Sequence, residues 1–403
     1  LLSWIRSADR QLFLFMLGAV SMGLSMGLGE ISFNNFLSDT YHMDAMSRGE
    51  LEFPRELPGF LVAAFAGILF FWSELKMAAL SMALMAVGFL GLGIYGSLYG
   101  LMLTSMITWS IGMHLQMPVT RTIALRLARE GRGATMLGRL GGIQTGAAIL
   151  GSVLLWMGLG GTSLGYLPVF ALAALVALAG VYCYLAMRPI DGHTGNRPTF
   201  IIRKRYTLFY LLNILFGARK QIFITFGPWV LISIFDKPVS TIASLHLIAS
   251  VIGMFFAPQL GKLIDRFGER LVLMIDAVLL VGVCLGYGFA TEMGLGAWAV
   301  DLIYASFVLD LVLFNVSIAR TTYASKIVVK KSDLTATLSL GVTIDHAVSM
   351  SIPTLGGLVW IVYGYQYVFV GAAVVAVLTL VATSFISVTP PDTSRASQAE
   401  AAG

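Results

Sequence analysis

The stretch Gly261-Lys262-Leu263-Ile264-Asp265-Arg266-Phe267-Gly268-Glu269-Arg270 decides the fold. It is a charged segment between two apolar runs, one ending in residues 248–260 and the other opening at Leu271 and continuing to Tyr287. Charge is costly inside hydrocarbon, so the segment reads as a short hinge between two membrane-length helices. Helices joined by so short a hinge must be antiparallel neighbours. The rest of the chain repeats the pattern. It is 57% hydrophobic and 12% charged, with a mean hydropathy of +0.84, against about 45–50% and about 25% in soluble domains. A helix needs roughly 20 apolar residues to cross a bilayer. Twelve runs qualify: 11–38, 56–72, 75–96, 98–125, 134–158, 165–187, 206–235, 239–260, 271–290, 297–325, 334–361 and 364–388. The expectation is an all-α integral membrane protein with twelve transmembrane helices.

Positive charge sets the orientation. Arg126, Arg129, Arg132 and Arg139, the run Arg203-Lys204-Arg205, and Lys262, Arg266 and Arg270 all fall on one side, with both termini. The opposite side holds only Arg48, Arg55 and Lys237. Both termini are therefore expected in the cytoplasm, with the protein in the cell inner membrane. The net charge of +5 follows from this topology. No basic soluble face exists for a nucleic-acid partner. Cys183 and Cys284 lie inside apolar runs and read as small core residues. The first run is too long for a signal-peptide core and carries Glu30, so it is kept as a mature helix. The chain begins at Leu1 rather than Met, which leaves room for residues upstream.

The longest inner loop, 189–205, follows the sixth run and contains Gly192, Gly195 and Pro198. It reads as a cytoplasmic linker between six-helix halves at 1–188 and 206–388, with 389–403 a disordered tail. The halves share weak similarity at a drifting offset. Phe33 lies 193 residues before Phe226, Gly67 lies 194 before Gly261, and Arg121 lies 199 before Arg320. On that alignment Phe71 stands at the place of Asp265, Trp72 at that of Arg266 and Glu74 at that of Gly268.

The pattern G-x-L-x-D-R-x-G-x-R at Gly261, Leu263, Asp265, Arg266, Gly268 and Arg270 resembles the cytoplasmic signature of the major facilitator superfamily of transporters. In that family the first-half copy is often the better preserved, and here it is the degraded one. Pro353-Thr354-Leu355-Gly356-Gly357 is similar to the P-x-x-G-G end of the family's antiporter motif, but it sits in the eleventh run and Ile352 replaces the expected Gly. The resemblance implies two six-helix bundles around a central site exposed alternately to each side. It also implies that helices 1, 4, 7 and 10 face that site, with 3, 6 and 12 towards lipid. Gly261, Asp265, Arg266, Gly268 and Arg270 become a conformational latch, Asp265 docking at the inner end of helix 5 near Arg132-Gly133-Ala134-Thr135.

Ionisable residues inside membrane spans mark cavities and proton paths. Those singled out are Glu30, His114, Arg121, Arg219, Lys220, Asp301, Asp310, Arg320, Asp345 and His346. Glu30, Asp310 and Asp345 are the proton-coupling candidates, because a carboxylate at that depth must be paired or protonated. Helical spacing puts Glu30 with Asn34, His114 with Arg121, Asn213 with Lys220, Asp310 with Ser317, and Asp345 with Ser349. Asn34, His114, Arg121, Asn213, Arg219, Lys220, Ser317 and His346 are therefore the substrate-cavity candidates. Lys220 is expected to reach Asp310 or Asp345, with Arg219 and Lys220 split between a cavity role and a structural ion pair. Arg121 and Arg320 have a blander reading as interfacial snorkelling charges, and His114 as a packing residue. The segment from Leu51 to Gly59 opens the second helix with Glu52, Arg55 and Glu56. It reads as a solvated entrance in which those three could gate.

No G-x-x-x-x-G-K-[ST] or H-E-x-x-H pattern occurs. G-x-S-x-G occurs at Gly23–Gly27, inside the first apolar run, and at Gly161–Gly165, between the fifth and sixth, but neither follows a strand as a nucleophile elbow requires. Neither an ATP-driven pump nor an intramembrane enzyme is therefore supported. The expected function is secondary transport of a polar or charged small solute, by symport or antiport with protons or another coupling ion. The expected partners are that solute, the ion and lipid, with no cofactor, no metal and a monomeric chain. A non-transporting receptor on the same fold is the competing reading.

Overall fold

A computed structural model describes residues 8–42, 51–69, 71–155, 157, 165–190 and 201–387. Residues 191–200 of the expected linker, the tail from 388, and Asp44, Arg48 and Glu50 lie outside the described residues. The helices are α1 (Ala8–Tyr41), α2 (Glu52–Phe60), α3 (Val62–Ile68), α4 (Glu74–Tyr95), α5 (Tyr99–Leu127), α6 (Gly133–Leu154) and α7 (Leu167–Leu185). They continue with α8 (Thr207–Ser233), α9 (Val239–Phe267), α10 (Glu269–Phe289), α11 (Trp298–Leu313), α12 (Ser317–Ile327), α13 (Asp333–Tyr363) and α14 (Tyr365–Ser384). With α2–α3 and α11–α12 each counted as one crossing, these helices compose twelve spans in two bundles. No strand occurs among the described residues.

Eight crossings are long and apolar enough to span a membrane by length and composition alone. The four that fall short are α2–α3, α5, α6 and α8. The α2–α3 crossing falls short because its break leaves two short helices, and the others on mean hydropathy or charge. Elsewhere the outer surface is apolar, with Val87, Leu175, Phe255, Val278, Ile361 and Val374 all exposed. In a bilayer that surface meets hydrocarbon. Each half has its own core. One gathers Phe15, Phe89, Trp109, Phe170 and Tyr184; the other gathers Tyr206, Phe223, Phe307 and the stacked Tyr287–Phe369 pair.

Three boundaries differ from the sequence reading. The motif is not a ten-residue loop, because α9 continues through Gly261 to Phe267 and only Gly268 separates it from α10. Gly268 has φ +85°, which an L side chain adopts only with strain, so a single glycine reverses the chain. The second crossing starts at Glu52 rather than 56, and it bends at Leu61, one turn after Pro58. The displaced N–H of Ala63 donates to Thr343 Oγ1 of α13 at 3.1 Å. The tenth crossing is interrupted by a 3-10 turn at Phe314–Val316, so its residues do not keep one α-helical register.

The halves are joined on the side carrying the motif, here termed the linker side. Helix α6 has no side-chain cap from its own N-cap residue, Arg132. Asp265 of α9 supplies one across the interface, its Oδ1 accepting from Ala134 N at 3.0 Å and its Oδ2 from Thr135 N at 2.8 Å. The carboxylate thus satisfies two orphan N–H donors and sits at the positive end of the helix dipole. The backbones must approach closely for this. A Cβ on Gly261 would meet Ala134 O at 2.3 Å, and one on Gly138 would meet Ala257 O at 2.2 Å. The expected docking of Asp265 near Arg132–Thr135 is therefore present.

The degraded first-half copy is compensated nearby. Glu74, rather than the residue at the place of Asp265, reaches the other half. Its Oε1 accepts from Thr335 Oγ1 near the start of α13 at 3.3 Å, while Arg126 lies 2.8 Å away. Arg126 also donates weakly to Lys331 O at 3.5 Å.

Charge-assisted hydrogen bonds contribute about 1.5–3 kcal/mol each. Asp265→Asn removes the charge and one acceptor, so linker-side closure should weaken by about that amount, a shift of ten- to a hundredfold in population. Spin labels on the linker-side ends of α6 and α9 should then report longer distances. An unchanged distribution would show that Asp265 does not hold the halves together.

Candidate functional site

A cavity of about 440 Å³ lies between the halves. The first half contributes Met22 and Met26 of α1, Gln116, Thr120 and Arg121 of α5, and Leu137, Gln144 and Thr145 of α6. The second contributes Phe314, Asn315, Ser317, Ile318 and Thr321 around the 3-10 turn. Arg121 is the only charged residue in this lining, and Asp345 is the acidic group within its electrostatic reach. Gln116 is held in place on one side by Ser81 and on the other by Tyr184 OH, to which it donates at 2.9 Å. The wall therefore presents one guanidinium among amides, hydroxyls, methionines and an aromatic ring.

A second group of polar residues crosses the interface further along. Arg55 lies 3.8 Å from Glu30 and 2.6 Å from Glu56 Oε1. The other oxygen of Glu56 lies 3.1 Å from His346 Nδ1 and 3.6 Å from His114 Nε2. His114 is anchored by its own helix, its Nδ1 facing Ser110 O at 2.9 Å. Among the described residues, Glu56, His114 and His346 are the group whose ligand-type atoms are close enough to share one metal ion. Beside His346, Asp345 accepts from Lys220 Nζ at 2.8 Å.

Two family-model matches, at residues 55–332 and 209–403, carry the description Major Facilitator Superfamily. The chain belongs to the major facilitator superfamily. Its members are secondary transporters rather than enzymes. No curated protein is detectably similar in sequence. Among solved structures, the E. coli fucose:proton symporter superposes with a TM-score of 0.75 at 13% identity, over 96% of this chain and 100% of that one. A bacterial homologue of the iron transporter ferroportin in an outward-facing state gives 0.74 at 14%, over 92% and 98%. The human organic anion transporter TETRAN gives 0.68 at 12%, over 94% and 99%. At such identities the likeness is one of fold.

Of the residues singled out in this superfamily member, Arg121 and Ser317 line the cavity. His114 and His346 meet each other instead, ring centroids 4.8 Å apart. Lys220 pairs with Asp345, one of its two expected partners, and Arg219 takes the other carboxylate, 2.7 Å from Asp310 Oδ1. Both side chains of the Arg219–Asp310 pair are only 4% exposed, so this is the structural pair of the two. Arg219 also lies over the Phe314 ring at 4.6 Å. Asn213 is committed to its own half, donating to Phe209 O and accepting from Arg320. Arg320 does not snorkel; it is buried and lies over Phe216 at 3.5 Å. Glu30 is 45% exposed on its side chain and Asn34 is exposed on α1, neither of them among the cavity-lining residues. Arg266 stacks on Phe267, and Arg270 is exposed.

Asp310 and Ser317 serve different places: Asp310 is buried against Arg219 in the second half, and Ser317, beyond the 3-10 turn, lines the cavity. The role of Glu56 was hidden by the late boundary given to the second span, which left it at a solvated mouth. Gln116, Gln144 and Asn315 were missed because amides carry no charge signal. Asp276 of α10 was detectable as a mid-span carboxylate and was passed over; it is buried, within electrostatic reach of Arg219 and Arg320.

Breaking a buried ion pair from one side strands the other charge, at a cost of about 3–5 kcal/mol. Asp310→Asn should therefore lower the unfolding temperature in detergent markedly, and replacing Arg219 and Asp310 together with leucine should restore much of it. If the double replacement is no more stable than Asp310→Asn, the pair is not the source of the loss.

Proposed function

We propose that this chain carries a small organic anion across a cell inner membrane by alternating access, with proton coupling, as a monomer with both termini and the linker side in the cytoplasm. The observation that carries this reading is the cavity walled by both halves, with Arg121 its only charged residue. Arg121 is half-buried, and the acidic group within its electrostatic reach, Asp345, is itself held by Lys220. A guanidinium so placed is incompletely neutralised, which is unfavourable. An anionic group on the solute removes that cost, and a guanidinium can bind a carboxylate or phosphate with two parallel hydrogen bonds. The volume suits a ligand of a dozen or more non-hydrogen atoms. Thr120, Gln144, Asn315 and Ser317 offer neutral hydrogen-bonding groups, and Met22, Met26 and Phe314 offer apolar contact. Because the wall is shared by the two halves, solute binding is sensitive to their relative position, as alternating access requires.

The Asp265 latch supports a state closed towards the cytoplasm. For proton coupling, Glu30 is the carboxylate we assign. Asp310 and Asp345 each face a cation of their own half at 2.7–2.8 Å. Glu30 lies on α1, the helix that also carries Met22 and Met26 of the cavity wall, and its side chain is 45% exposed, so a proton can reach it. Lys220, engaged with Asp345 and absent from the cavity lining, is not assigned to the solute.

Uptake of a labelled panel of organic anions, cations and neutral solutes into proteoliposomes, with and without a pH gradient, tests the reading. Arg121→Ala should weaken binding of the transported anion at least tenfold, the equivalent of about 1.4 kcal/mol, and Arg121→Lys should restore part of it. Glu30→Gln should abolish gradient-driven accumulation and leave solute exchange intact. A transported solute without negative charge, bound equally by wild type and Arg121→Ala, would overturn the assignment of Arg121.

A further inference from the structure

We propose that Glu56, His114 and His346 form a binding site for a divalent transition-metal ion of the zinc type, bridging the two halves of the transporter. The ligand atoms all lie within 4.8 Å of one another. Bonds of about 2.0–2.1 Å in tetrahedral geometry place ligand atoms roughly 3.3 Å apart. The two edges through Glu56 Oε2 are 3.1 Å to His346 and 3.6 Å to His114, either side of that figure; the third, between the histidines, lies within 4.8 Å, so an ion would draw the two imidazoles together. Three protein ligands leave a fourth position open for water or another donor.

The imidazole of His114 is set for this role. The Nδ1 of His114 lies 2.9 Å from Ser110 O and 3.1 Å from Ser110 Oγ, so its own helix holds the ring and turns Nε2 towards the Glu56 carboxylate. A metal ion between Nε2 and Oε2 would bind both and His346 Nδ1 together. Ser110 is itself held, its hydroxyl donating to Arg55 O, so the carbonyl that orients His114 belongs to a constrained turn. Arg55 occupies Glu56 Oε1 at 2.6 Å, which leaves Oε2 as the oxygen offered to the histidines.

The donor set selects the metal class. One carboxylate oxygen and two imidazole nitrogens suit zinc, cobalt or nickel; calcium and magnesium need several oxygens. The backbone is cut to the site. Gly59 lies one turn beyond Glu56, and a Cβ there would stand 2.8 Å from His114 Nε2 and 2.8 Å from His346 Cδ2. Any side chain at 59 would push the imidazoles out of position. The consequence for transport follows from the origin of the ligands. Glu56 and His114 belong to the first half and His346 to the second, so an ion bound to all three ties α2 and α5 to α13 and favours the state described here.

The test uses the tag-free full chain in detergent, with ZnCl2 as the probe. Zinc should raise the unfolding temperature saturably, and magnesium and calcium should not. His114→Ala, His346→Ala and Glu56→Gln should each weaken zinc binding at least tenfold. Cobalt should give the visible absorption of a tetrahedral N/O site in wild type and not in His346→Ala. Gly59→Ala changes no ligand and should also weaken binding. Spin labels on α5 and α13 should report a narrower distance distribution with zinc, and no change in His346→Ala. Should His114→Ala fail to fold, His346→Gln carries the same test from the other half. Absence of a saturable zinc effect in wild type, or an effect that persists in His346→Ala and His346→Gln, would overturn the site and leave a hydrogen-bonded His–Glu cluster.

Discussion

The contact between the Asp265 carboxylate and the first turn of α6 is the constraint around which the two halves are arranged. A helix end buried at an interface leaves N–H groups that must find partners, and α6 provides none from its own N-cap residue. The partner comes from the opposite half, so the cap of one bundle depends on the position of the other. The carboxylate either bridges Ala134 and Thr135 or leaves them to water. Gly138 and Gly261 follow from the same constraint, because the cap forms only when the backbones of α6 and α9 nearly touch.

Buried charge in this protein falls into two kinds. Arg219 with Asp310, and Arg320 with the Asn213 amide, are enclosed within the second half and hold its helices in register. Glu56 with His346, and Glu74 with Thr335, cross from one half to the other. The first kind can survive a rigid-body movement of the halves unchanged. The second kind must break, and in low dielectric each broken contact strands a polar group. Groups of that kind are the ones through which an ion or a solute can bias the conformational equilibrium, since a ligand shifts a population only by binding the two states differently.

The comparison of the two hinges shows how sequence similarity and physical role can part. By alignment Phe71 takes the place of Asp265, and the first-half motif looks lost. Physically the requirement is only a carboxylate on the linker side that reaches the opposite half. Glu74 meets it three positions later, at the start of α4, where the helix dipole also favours a negative charge.

Hydropathy alone determined that this is a twelve-span helical membrane protein, and the family resemblance of the motif pointed Asp265 to the end of the fifth span, where it lies. Both are local properties: a crossing needs a set length of apolar chain, and a helix end needs an anion. The pairing of Lys220 with Asp345 was also within reach, because an ammonium at that depth has few possible partners. Tertiary structure alone decided which polar residues share a site. Glu56, His114 and His346 are separated by 58 and 232 positions and meet only because α2, α5 and α13 converge at Gly59. Asp310 and Ser317 share a predicted face, yet one is taken by Arg219 and the other opens on the cavity. Helical periodicity fixes which side of a helix a residue occupies. What that side touches depends on the packing of every other helix, and the sequence carries no local record of it.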